Sequence, residues 1–164
     1  MANGGRILYA VDRDHWVFRF EGGIQYTMTH TLDAFLERAF AEAQPRALTA
    51  DLRDTTMIDS TGIGLLVKLA HMARAAGSAR PLLFCTNPEV TEILDSVCLD
   101  KVYTLVSGEP VADAHQPMPA TSPGEAQMSD MIEGAHRLLS ELSESNRVRF
   151  EGVLDAFERQ REGR

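Results

Sequence analysis

The sequence has no apolar run approaching the ~20 residues that cross a bilayer, and Met1 to Arg6 shows no basic stretch leading into an apolar one. Neither a membrane span nor a secretory leader is expected. Cysteine is scarce. Cys85 and Cys98 sit in separate apolar stretches without metal-ligand spacing, which argues against a disulfide or zinc framework and reads as two buried, reduced thiols in a cytoplasmic protein. Positive charge is also short, with 16 Lys and Arg against 24 Asp and Glu for a net of −8. A duplex-binding domain carries a clustered basic face, so nucleic acid is not the expected partner. What remains is an ordinary globular composition. The chain has 164 residues, 44% hydrophobic and 24% charged, enough to bury the core of one domain with a tail to spare.

Four of the seven prolines, Pro110, Pro117, Pro119 and Pro123, fall between Ser107 and Gly124 with few large apolar residues around them. This stretch reads as a linker, dividing the chain into a domain at 5–107, a Pro-rich connection at 108–122 and a helical extension at 123–160. The first part alternates in type. Ile7 to Val11 and the Trp16, Phe18, Phe20 alternation form two strands joined at Asp12-Arg13-Asp14, an antiparallel hairpin punctuated by Gly22-Gly23. Leu32, Phe35, Leu36, Ala39, Phe40 and Ala43 follow a helical stripe that Pro45 stops. Leu48 to Leu52 is a strand, Arg53 to Asp59 a loop, and Ser60 to Ala76 a broadly apolar helix ended by Gly77. Leu82 to Cys85 is a strand covered on both faces. Asn87-Pro88-Glu89 opens a further helix, and Val102 to Val106 is the last strand. Strands alternating with helices predict an α/β fold with a mixed central β-sheet and packed helices.

The sharpest feature is Asp59-Ser60-Thr61-Gly62-Ile63-Gly64 at the start of the apolar helix. Asp59 and Ser60 are consecutive capping residues, Thr61 adds a second hydroxyl, and the free N–H groups of a first helical turn point at whatever lies there. Each glycine in a helix costs about 0.5–1 kcal/mol relative to alanine, so Gly62 and Gly64 together ask for a reason, and close approach of another surface supplies one. A hydroxyl here suits phosphorylation. The added charge of about −1.5 to −2 would stand beside the Asp59 carboxylate where a partner docks. The plainer alternative is an N-cap and nothing more. A P-loop and a nucleophile elbow are both excluded, since neither glycine pattern is present.

This run, with Leu52-Arg53-Asp54-Thr55-Thr56-Met57-Ile58 before it, resembles the core motif of STAS-domain anti-sigma factor antagonists, and the resemblance extends over about Ile7 to Val106. It implies a STAS fold and a non-enzymatic, cofactor-free regulator. In such a protein the unmodified antagonist binds an anti-sigma factor and so releases a sigma factor. A histidine-kinase-like serine kinase, often the anti-sigma factor itself, phosphorylates it, and a PP2C-type phosphatase restores it. The resemblance makes Ser60 the first choice of phosphoacceptor and Thr61 the second. Asp59, Thr61, Gly62, Gly64, Lys68 and His71 are the candidate partner-binding residues, with a solvated polar face as the plainer reading of Lys68 and His71.

The chain departs from the family in two places. The family commonly has Gly-Glu-Leu/Ile-Asp after the second strand, where this chain has Gly22-Gly23-Ile24-Gln25, with Gln25 in the place of the acid. Family members also often end soon after the last strand, whereas 58 residues follow Val106 here. Ser122-Pro123-Gly124-Glu125 matches a capping-box start, and Met131, Ala135, Leu138, Leu142, Val153 and Phe157 follow a stripe that Asn146 and Arg149 interrupt. One long or broken amphipathic helix is expected. It either packs back on the domain, mediates self-association or meets a second partner; the apolar repeat is too short for a strict coiled coil. His15, His30, His115 and His136 lack metal spacing and read as structural or solvent-exposed. Three other classes remain open: a soluble STAS subunit of a transport complex, a small-ligand sensor on the same fold, and a small α/β enzyme. The last ranks lowest because no nucleophile–base pair stands out.

Overall fold

The computed structural model describes residues 4–109, 114, 116–119 and 121–163. In chain order the elements are β1 (Arg6–Asp12), β2 (His15–Ile24), α1 (Tyr26–Glu42), β3 (Ala47–Asp51), β4 (Thr55–Ile58), α2 (Ser60–Ala75), β5 (Leu82–Phe84), α3 (Pro88–Ser96), a 3-10 turn at Leu99–Lys101, β6 (Thr104–Val106), β7 (Gln116–Pro117), α4 (Glu125–Ser140) and α5 (Glu144–Glu162). Six strands run β6-β5-β3-β2-β1-β7 across the sheet, and β4 joins by pairing with β2. The β1–β2 and β1–β7 pairs are antiparallel and the others parallel, so the sheet is mixed.

β2 organises this sheet because it changes partner midway. His15 to Arg19 pair with β3, and Gly22 to Ile24 pair with β4, with a register shift at Gly22–Gly23. Gly22 sits at φ +75°, where a Cβ would be strained, and its N–H donates to the Asp54 carbonyl. The segment expected as a loop, Arg53 to Asp59, therefore contains a strand. Its Thr55 Oγ1 donates to the Phe20 carbonyl at 2.8 Å and seats β4 against β2. Trp16 and Phe18 turn one face of β2 toward α1, where Trp16 meets Phe40 and Phe18 meets Phe35 at ring separations of 4.8 and 6.0 Å. On the other face Val17 packs with Leu8 and Ala114.

Helix starts follow local chemistry. Asn87 accepts the Glu89 N–H at 3.0 Å with Pro88 beside it. The α4 start differs from the expected Ser122 box. Gly124 is the N-cap, and Gln127 Oε1 accepts its N–H at 3.0 Å. The helix thus begins two residues later than the Ser122 box, at a glycine N-cap whose N–H is held by the Gln127 side chain. Cys85 is buried but Cys98 is only half-buried, and both are free thiols.

The tail forms two helices, not one continuous rod, and α4 packs along α2 while α5 packs along α4. Met131, Ala135, Leu139 and Phe150 join the same core cluster as Phe18, Phe20 and Leu66. Asn146, which interrupts the sequence stripe, is wholly buried. Its Nδ2 donates to the carbonyls of Val97 at 2.8 Å and Leu139 at 3.0 Å, tying α5 both to α4 and to the chain after α3. Glu133 on α4 accepts from Arg137 at 2.8 Å and from Arg161 of α5 at 2.7 Å.

Asn146→Ala leaves two buried carbonyls without this donor, so urea unfolding should show a loss of about 1–3 kcal/mol. Tyr103 gives a second test. Its hydroxyl is buried and donates to the Leu66 carbonyl at 2.6 Å, and burial holds the phenol proton far above the ordinary tyrosine range. The unfolded chain gives up this proton near pH 10 while the folded chain keeps it. Tyr103 therefore has no pH-dependent effect below about pH 10, and above it stability falls by up to about 1.4 kcal/mol per pH unit. Tyr103→Phe should cost about 1 kcal/mol at pH 8 and show a shallower alkaline decline, measured as the difference between denaturation curves at pH 8 and pH 11.

Candidate functional site at the start of α2

Asp59 is the N-cap of α2, and its carboxylate serves two helices. Oδ1 accepts the Gly62 N–H at 2.8 Å, and Oδ2 accepts the Tyr26 N–H at 2.7 Å, the first residue of α1. Gln25, the N-cap of α1, makes no side-chain cap bond, so α1 is capped from across the fold. β4 delivers Asp59 to this place, and the Asp59 N–H donates to the Ile24 carbonyl at the end of β2 at 3.0 Å. The site is thus the meeting point of β2, β4 and the starts of α1 and α2.

Of the two hydroxyls, Ser60 is half-buried and Thr61 is buried at 4% exposure. Ser60 Oγ lies 2.8 Å from His136 Nε2 on α4. His136 Nδ1 lies 2.7 Å from the Ile132 carbonyl, which can only accept, so the ring proton is on Nδ1. In the neutral ring Nε2 is then the acceptor, and the Ser60 hydroxyl donates to it. His136 is 5% exposed, and its ring meets Phe150 of α5 at 5.8 Å.

The two glycines face different neighbours. A Cβ on Gly62 would come within 2.9 Å of Ile58 and 3.3 Å of Ile24, so this glycine admits the end of the sheet. On Gly64 a Cβ would stand 2.6 Å from the carbonyl carbon and 2.7 Å from the Cβ of Ala135. The close approach that the glycine cost pointed to is therefore real, and at Gly64 the approaching surface is the backbone of α4.

Lys68 and His71 lie further along α2. Lys68 Nζ donates to Asp33 at 2.5 Å and Glu37 at 2.8 Å, bracing α2 on α1. Partial burial opposes its charge, but the hydrogen bonds and charges of Asp33 and Glu37 outweigh this and hold the ammonium above the usual lysine range. His71 is exposed. Both border a groove of about 670 Å³ between α1, α2 and α4. Asp59, Ser60, Thr61, Gly62 and Gly64 thus converge on one end of α2, while Lys68 and His71 stand apart from it.

His136 was missed as a site residue because its partner is 76 positions away and its neighbours read as a tail stripe. Of the other histidines, His15 Nε2 lies 2.8 Å from Thr49 Oγ1 and His30 Nδ1 lies 3.0 Å from Thr121 Oγ1; His115 lies outside the described residues. Among the described residues no group of three or more His, Cys, Asp or Glu could hold a metal ion, and no helix is long and apolar enough to cross a membrane.

Comparison with known proteins agrees with this architecture. The chain is similar in structure to an anti-sigma factor antagonist from Mycobacterium paratuberculosis, with a TM-score of 0.57 and 18% identity over 66% of this chain and 90% of that one. It is also similar to the anti-sigma factor antagonist SpoIIAA in its unphosphorylated form, with a TM-score of 0.55 and 18% identity over 62% of this chain and 88% of that one. The phosphorylated form of SpoIIAA, a Bacillus cell fate determinant, gives a TM-score of 0.51 and 17% identity over 62% and 91%. At these identities the likeness is one of fold. No match is found among the curated proteins. The STAS domain, however, matches residues 6–112, the whole body that carries the Asp59–Gly64 turn, and the chain belongs to the STAS-domain family.

Proposed function

We propose that this chain is an anti-sigma factor antagonist, a non-enzymatic partner-switching regulator whose complex with an anti-sigma factor is controlled by phosphorylation of Ser60. The observation that carries this reading is the placement of Ser60. It is the first residue of α2, directly after the capping carboxylate of Asp59, and it is the less buried of the two adjacent hydroxyls. Similar structures that are anti-sigma factor antagonists, one of them phosphorylated, support it.

The physics of the switch is local. The dipole and N–H groups of α2 favour an anion at its start. Asp59 already places one negative charge there, and its oxygens are engaged with Gly62 and Tyr26. A phosphate adds about −1.5 to −2 charges, so a partner that docks on this turn must desolvate a dianion beside a carboxylate. The fold need not change for one complex to become unfavourable, since each 1.4 kcal/mol is tenfold in affinity. The antagonist supplies only the hydroxyl. ATP and magnesium belong to a histidine-kinase-like serine kinase, and a PP2C-type phosphatase reverses the step in the cytoplasm.

Mass spectrometry of the protein isolated from its native cells should find a gain of about 80 Da that maps to Ser60 and is removed by phosphatase. An unmodified chain in all growth conditions would favour the transport-subunit or ligand-sensor reading, and a label on Thr61 would move the acceptor. Ser60→Ala should resist labelling and retain the anti-sigma factor that co-purifies with it. Ser60→Asp should bind that same protein at least tenfold more weakly by calorimetry, and equal affinity would contradict charge repulsion as the mechanism.

A further inference from the structure

The surface around Ser60 is not open in this chain. α4 lies along α2, its His136 takes the Ser60 hydroxyl, and its Ala135 backbone rests on Gly64. A kinase must bring a phosphoryl group in line with Ser60 Oγ, and His136, itself buried, stands within 2.8 Å of that atom. A phosphate on Ser60 Oγ takes away the hydroxyl proton of that contact and puts bulk and charge against α4.

We propose that the α4–α5 hairpin is a displaceable cover on the docking face of α2, and that it competes in cis with the partner helix that takes this face in trans. The inference rests on the reading of Ser60 as the switch. The contacts on the page define the competitor chemically. Lifting α4 takes away one wall of the groove beside Leu65 and Lys68 and removes Met131, Ala135 and Leu139 from the core. A partner that displaces it must restore apolar contact, so it is an amphipathic helix that offers a small residue opposite Gly64. α4 shows that pattern, with Gly134-Ala135 beside His136.

The two helices of the hairpin hold to each other, although α4 also joins the main core and Asn146 ties α5 to Val97. α5 packs mainly on α4, and Glu133 binds Arg161 within the pair. Phe150 of α5 reaches under His136, so the two helices leave together. The Ser60–His136 contact is a latch that chemistry at Ser60 removes directly.

Gly64→Ala tests this in the full chain. The nearest atoms to the new methyl are those of Ala135 on α4, and the substitution favours the α2 helix itself. Hydrogen exchange should become at least tenfold faster across residues 125–162, with β2 and β3 amides as protected as before. Equal protection of α4 in the variant and the parent would overturn the proposal, and loss of β2 and β3 protection would as well, since the cover would then be part of one cooperative core. A second readout uses Ser60→Cys with iodoacetamide, mapped by mass spectrometry. Alkylation at position 60 should be at least tenfold faster when Gly64→Ala is added, while buried Cys85 is unchanged and reports that the body stays folded. Equal rates at position 60 would contradict a cover over this site. Neither readout involves a kinase or an anti-sigma factor, so failure here is distinct from failure to find phosphate on Ser60.

Discussion

The Asp59 carboxylate holds two helix starts with one side chain, and the geometry of the site depends on it. One oxygen caps α2 through Gly62 and the other caps α1 through Tyr26. Because β4 positions Asp59 against the end of β2, the sheet fixes where both helices begin. Ser60 follows as the next residue and is presented at a rigid corner, not on a mobile loop. A charge added at such a corner acts on whatever docks there without first reorganising the body, which suits a switch that chooses between partners.

Gly64 shows a second constraint. The atoms that a Cβ would strike first are those of Ala135 on α4. The glycine lowers helix propensity in α2 and in return lets α4 approach to backbone contact. The chain therefore keeps on one short surface a hydroxyl, a glycine and an internal helix fitted to both. Asn146 anchors the other end of that hairpin through Val97 and Leu139. The body and its tail meet along the face on which the proposed switch acts.

Much of the fold was legible in the sequence because its signals are local. The β1–β2 hairpin lay in the Trp16, Phe18, Phe20 alternation, and the start of α3 lay in Asn87-Pro88-Glu89. β4 was not legible. Its four residues carry no clear alternation, and it exists because Gly22 lets β2 change partner. The α1 start was read six residues late, at Leu32, since Tyr26 to Thr31 are mostly polar and their cap comes from Asp59, 33 positions away. The motif itself was plain, and so was the cost of its glycines. What approached Gly64 was hidden, because a sequence shows that a gap is needed but not which distant segment fills it. Asn146 misled for a related reason: a polar residue on an apolar stripe reads as an interruption until the buried carbonyls that it serves are seen.

The most direct test is hydrogen exchange on the full chain carrying phosphoserine at position 60, installed during synthesis, beside the unmodified chain. If Ser60 is the switch and α4 its cover, the α4 amides of the phosphorylated chain lose protection while those of β2 and β3 keep it. If α4 remains as protected in the phosphorylated chain as in the unmodified one, Ser60 phosphate and a seated α4 coexist, and the account of this surface is wrong.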